Sequence, residues 1–152
     1  MADEPDLAKS IEETLRAVIE TLIDCEEGFR LIGQDLKDES LKTSFLAEAQ
    51  TRAAFRRTLE ETLHQIGVAD ATETGTVVGA IHRSWGDIKA KLGSTDRDLL
   101  ETACQGEESA LQIYKLALDK KLLLPIRQVL VNQQAHVQET LEYLQVAAEG
   151  LV

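Results

Sequence analysis

The stretch SIEETLRAVIETLIDCEEGFRLIGQDL, residues 10–36, decides how the rest of the chain is read. Its apolar positions Ile11, Leu15, Val18, Leu22, Cys25, Phe29, Ile32 and Leu36 follow one another in steps of four and three. That spacing draws one stripe along an α-helix and repeats every seven residues, as in helices packed side by side. A long helix with such a stripe cannot bury it alone, so the remaining sequence must supply partners.

It does so in the same register. The first helix is expected over about 5–36, with Pro5 in its first turn. Asp38 reads as the N-cap of a second helix, 39–66, closed by Gly67. Its seam is Leu41, Phe45, Glu48, Arg52, Phe55, Leu59, Thr62 and Ile66, and the short turn makes the first two helices antiparallel. After a Thr- and Ala-containing loop, Val77, Val78, Ile81, Trp85, Ile88 and Leu92 predict a further helix over 76–92, ended by Gly93. Thr95 and Asp98 have capping-box spacing and open a helix over 96–119, with Leu100, Ala103, Glu107, Ala110, Tyr114 and Ala117 on its stripe. Pro125 marks the first turn of the last helix, 124–150, whose seam is Ile126, Leu130, Gln133, Val137, Thr140, Leu144, Ala147 and Leu151. Two hairpins of long helices with a long connection between them make residues 1–152 a single all-α domain. The expected architecture is a ferritin-like antiparallel four-helix bundle, its long crossover carrying an extra helix. A weak repeat agrees: Glu26-Glu27 matches Glu107-Glu108, and residues 48–51 match 133–136.

Composition narrows the function. A chain of 152 residues is about one domain, large enough for its own core. Sixteen Lys and Arg against 27 Asp and Glu give a net charge of −11, and residues 1–40 hold twelve acids and four bases. That balance argues against nucleic acid, and no apolar run approaches the length of a membrane span. Met1-Ala2-Asp3-Glu4 lacks the start of a secretory signal, so a cytoplasmic protein is expected. Cys25 and Cys104 lack metal or redox spacing and are expected to be reduced, buried thiols. An exposed helix face is expected to make a homo-dimer or higher homo-oligomer.

The seams are most informative where they turn polar. Glu48 and Arg52 lie on the second helix's seam, Glu107 on the next long helix and Gln133 on the last, with His136 beside it and Glu26 at the edge of the first. A buried charge is costly unless paired, and two arrangements satisfy this layer. In one, Glu26, Glu48, Glu107 and His136 ligate iron or another divalent metal, as in bundles that pair carboxylates with Glu-x-x-His. In the other, Arg52 supplies the positive charge, and Glu48, Glu107, Gln133 and His136 close a hydrogen-bonded network that needs no cofactor. The sequence favours the second. Thr51 stands where a His would complete the motif with Glu48, and Gln133 where a Glu would complete it with His136. Arg52 also repels a cation.

The chain resembles a ferritin-like family of small bacterial four-helix proteins known as a domain of unknown function, over roughly residues 9–146. The resemblance rests on Glu26-Glu27-Gly28-Phe29-Arg30, Gln50-x-Arg52-x-x-Phe55, His82-Arg83-x-Trp85-x-x-Ile88-Lys89, and Gly106-Glu107 with Tyr114. The wider ferritin and rubrerythrin superfamily implies a di-iron site, oxygen or peroxide chemistry and roles in iron handling or stress. By position its ligands would be Glu26, Glu48, Glu107 and His136, with Thr51 and Gln133 as departures from its motif. The expected function is a non-catalytic, stress-related bundle without a cofactor; the alternative is an iron-binding protein with oxygen or peroxide chemistry. His82 and Trp85 share one face of the crossover helix, Trp85 as its apolar anchor. His64 suits the end of its helix, where a cation favours the dipole. A nucleophile built from Cys104 and His136 lacks an orienting third group in the sequence.

Overall fold

The computed structural model describes residues 4–68, 85 and 88–151. Among these residues the protein is all-helical. Four long helices, α1 (Glu4–Asp35), α2 (Glu39–Gln65), α4 (Asp96–Leu118) and α5 (Leu124–Glu149), are joined by a single-turn α3 (Ile88–Lys91). The fold is a four-helix bundle. Most of the crossover helix expected over 76–92 lies outside the described residues, as does His82; the part described is Trp85 and α3.

Local chemistry sets the helix ends. The Asp38 carboxylate accepts from the Leu41 amide at 2.9 Å, and the Thr95 hydroxyl accepts from the Asp98 amide at 3.1 Å, each satisfying a donor the first helical turn leaves open. Past the end of α2, Gly67 takes φ +94°, a left-handed conformation that costs glycine little. The α4–α5 turn is held by Arg127, which donates to the carbonyls of Leu118 and Lys120 at 2.9 Å each.

Three hydrogen bonds fix the direction of the helices. Asp96, at the start of α4, accepts from the amides of Lys37 and Asp38 at 2.9 and 3.0 Å, and Asp35 accepts from the Gly93 amide at 2.7 Å. The α1–α2 turn and the start of α4 therefore share one end of the bundle. Helix α2 departs from that end and α4 departs from it again, so α2 and α4 run in the same direction. Over its 27 residues α2 travels ~40 Å.

The core follows the stripe of α1: Ile11, Leu15, Val18, Leu22, Cys25, Phe29, Ile32 and Leu36 are all buried. Two seams drift from their expected positions. On α5, Leu141 and Ala148 are buried where Thr140 and Ala147 were expected. On α2, Ala49, Ala53, Glu60 and Leu63 are buried, whereas Phe55, Thr62 and Ile66 are half-buried. A straight α-helix falls ~20° behind a seven-residue repeat in each heptad, so later seam positions slide off the buried face and the next residue enters it.

Trp85 closes the space between α1 and α4. Its indole is 2% exposed, meets the Phe29 ring edge-on at 5.1 Å between centroids, and lies directly over Gly28 and Gly106. A Cβ on Gly28 would stand 2.6 Å from the indole, and one on Gly106 would overlap it as well. In an open helix Gly→Ala stabilises by ~0.5–1 kcal/mol. Here the sign should reverse: Gly106→Ala should destabilise by ~1–3 kcal/mol through overpacking. Trp85 is the chain's single tryptophan, so a red shift of its emission should accompany the fall in melting temperature.

Candidate functional site

At mid-height each of α1, α2, α4 and α5 brings a polar or sulfur-bearing side chain inward. The centre is Arg52 of α2, whose side chain is fully buried. Its Nη1 and Nη2 donate to Oε1 and Oε2 of Glu107 on α4 at 2.6 and 2.5 Å, a fork-on-fork pair with both side chains at 0% exposure. Its Nε donates to Oε2 of Glu48 at 2.8 Å, one helical turn back. The same Glu48 oxygen lies 2.8 Å from Nε2 of His136 on α5. A hydrogen-bonded row thus runs from buried Glu107 through Arg52 and Glu48 to His136, whose side chain is 35% exposed.

Aromatic rings enclose this row. The Arg52 guanidinium lies over the Phe29 ring, 4.9 Å from its centroid, a cation–π contact between two buried side chains. Phe55 meets the His136 ring edge-on at 5.2 Å. Outside His136 a groove of about 270 Å³ opens between α2 and α5, with Glu48 in its wall and Tyr143 at its rim.

Electrostatics follow from burial. Burial raises the Glu107 carboxyl above its usual range while Arg52 pulls it back. For Arg52, burial works to discharge the guanidinium, but the hydrogen bonds and charge of Glu107 outweigh it and hold the proton more tightly than usual. The short bidentate contacts are those of a charged guanidinium–carboxylate pair. Burial pushes the Cys25 thiol up to about 12, against Arg52 and the Trp85 indole N–H, and the Cys104 thiol up to about 11. Both shifts disfavour the thiolate; Cys25 is buried as expected, whereas Cys104 is half-buried.

Two of the singled-out residues lie elsewhere. Glu26 faces Arg56 of α2 at 3.3 Å, not the central row. Gln133 is buried but bonds away from Arg52: its Oε1 accepts from the Tyr114 hydroxyl at 2.8 Å, and its Nε2 donates to the Phe55 carbonyl at 3.3 Å. The sequence reading missed Tyr114 as that partner and Phe29 as the ring beneath Arg52, since both pairings cross between helices. The arrangement does not fit a metal ion. Arg52 occupies the space between Glu48 and Glu107 and engages three of their four oxygens. Among the described residues no three His, Cys, Asp or Glu side chains are grouped to hold a metal.

Removing one member of a buried pair strands the other charge. Arg52→Ala should therefore lower stability by ~3–5 kcal/mol, measured by urea unfolding. The double variant Arg52→Met with Glu107→Leu should recover much of that loss, because it removes both desolvated charges and keeps the volume filled.

Comparison with known proteins places this geometry in a family. No curated protein sequence matches the chain. The family model described as a domain of unknown function, DUF2383, matches residues 10–120. The match takes in α1, α2 and α4 with Glu26, Glu48, Arg52, Trp85 and Glu107, and ends before α5 brings Gln133 and His136. Spanning well over half of the sequence, it shows that the chain belongs to the DUF2383 family.

Proposed function

We propose that this protein is a ferritin-like bundle in which the Arg52 guanidinium takes the place of a di-metal centre, and that it acts by binding other molecules rather than by catalysis. The observation that carries this reading is the bidentate Arg52–Glu107 pair, buried at 0% exposure. Four or more buried carboxylate and imidazole ligands are balanced in a di-metal bundle by cations. Here a covalently attached cation, which cannot be exchanged, oxidised or reduced, pairs with both Glu48 and Glu107 and offsets one of their two charges. The shared direction of α2 and α4 supports ferritin-like connectivity, since it requires a return along the bundle between them.

The interaction reading also draws on the surface. No described helix is long and apolar enough to cross a membrane. Leu124, Tyr143 and Val146 of α5 are exposed, which suits self-association in a homo-dimer or larger homo-oligomer, and a cytoplasmic role in a stress response belongs to the same proposal.

Elemental analysis of protein purified without an affinity metal, followed by anaerobic titration with ferrous iron, tests the substitution of arginine for metal. Substoichiometric iron and no saturable uptake are expected. Stoichiometric iron that disappears in Glu107→Ala and His136→Ala would overturn the proposal in favour of iron-dependent oxygen or peroxide chemistry.

A further inference from the structure

Among the described residues there are seven arginines, and five are tied to a carboxylate or a backbone carbonyl. The other two, Arg30 and Arg57, make no ion pair or hydrogen bond among the described residues, and both line one groove of about 560 Å³ between α1 and α2. Each has an acidic neighbour at helical spacing that it does not use. Glu26, four residues before Arg30, is turned to Arg56 at 3.3 Å. Glu61, four residues after Arg57, is exposed and not bonded to it. Elsewhere the same spacing does form pairs, as in Arg16–Glu12 and Arg97–Glu101.

The lining of the groove adds to this. Ala49 and Ala53, which drift to the α1 side of α2, keep it open, and Leu46 adds apolar surface. Gln34 and Gln50 bring amide groups to it. Glu26 is the one carboxylate in the lining and pairs with Arg56, which also reaches Glu60 at 3.4 Å. A protein of net charge −11 therefore has a cleft lined by two arginines that lack an ion-pair partner among the described residues and by one carboxylate that has one. Its volume falls within the ~300–1,000 Å³ typical of small-molecule sites.

We propose that this groove binds a small organic phosphate, with the phosphate between Arg30 and Arg57 and the apolar part of the ligand over Ala49, Ala53 and Leu46. Guanidinium forks match phosphate oxygens, and two of them balance the charge of roughly −1.5 to −2 that a phosphomonoester carries near neutral pH. A monocarboxylate offers about half that charge. The site is separate from the central ion pair, so failure of one reading leaves the other standing.

Titration of the full chain with phenyl phosphate, inorganic phosphate and benzoate, followed by amide NMR, tests the site. Saturable shifts at Gln34, Ala49 and Ala53 are expected, with phenyl phosphate binding more tightly than either other probe. The double variant Arg30→Gln with Arg57→Gln should weaken phenyl phosphate by about tenfold or more, while Lys121→Gln on the far side of the chain leaves it unchanged. Both arginines are exposed, so the double variant should keep its melting temperature. Shifts that do not saturate, that survive in the double variant, or that benzoate reproduces at equal affinity would overturn the proposal. Equal affinity for inorganic and phenyl phosphate would remove the apolar floor from it.

Discussion

A guanidinium with no exposure to solvent has to be answered from within the protein, and the answer given to Arg52 organises much of the bundle. Three of its nitrogens reach carboxylate oxygens on two helices, and its flat face rests on Phe29 of a third. A charge removed from water costs several kcal/mol, and only well-aligned partners offset that cost. The geometry of α1, α2 and α4 at mid-height is therefore held to a narrow tolerance. Leucines in the same places would tolerate sliding by a turn; a forked pair does not. The layer reads as a device that fixes register, with net stability left mainly to the apolar seams above and below it.

The layer is sealed differently on its two sides. Toward α1 and α4, Trp85 lies flat over Gly28 and Gly106 and excludes water from Cys25 and Phe29. The absence of a Cβ at both helix positions is what lets the indole come so near. Toward α5 the closure is polar: His136 meets Glu48, and Gln133 meets the Phe55 carbonyl. The hydrogen-bonded row thus begins in a dry centre and ends at a side chain in contact with solvent. The two carboxylates of the row share one guanidinium, and Glu48, the more exposed of them, stands at the solvent end where water can reach it.

How far the sequence announced this depends on the range of each interaction. The caps at Asp38 and Thr95, the left-handed turn at Gly67 and the α1 stripe rest on neighbours within one helical turn, and all are legible from spacing. The Glu48–Arg52 contact is legible for the same reason, being an i,i+4 pair on one face. Pairings between helices are not. Spacing showed that Glu26 and Gln133 lie near the layer, but rotations of a few tens of degrees sent one to Arg56 and the other to Tyr114. The seven-residue template hid the drift that buries Leu141 and Ala148. Trp85 could be recognised as an anchor, but nothing local linked it to two glycines on separate helices.

The same drift explains how α2 uses one residue type in three ways. Successive residues of a helix turn by ~100°, so Arg52, Arg56 and Arg57 fan from the centre of the bundle toward α1 and then outward. Arg52 faces Glu107 in the core, Arg56 spans the α1–α2 seam to Glu26, and Arg57 reaches the groove beyond it. Because Arg56 takes Glu26, the acid four residues before Arg30 on α1 is turned away from it. The pair that stitches the seam thereby frees the positive charge beside it. An acidic chain of this size has carboxylates enough to quench every arginine, and among the described residues the geometry of α2 determines that Arg30 and Arg57 are left open.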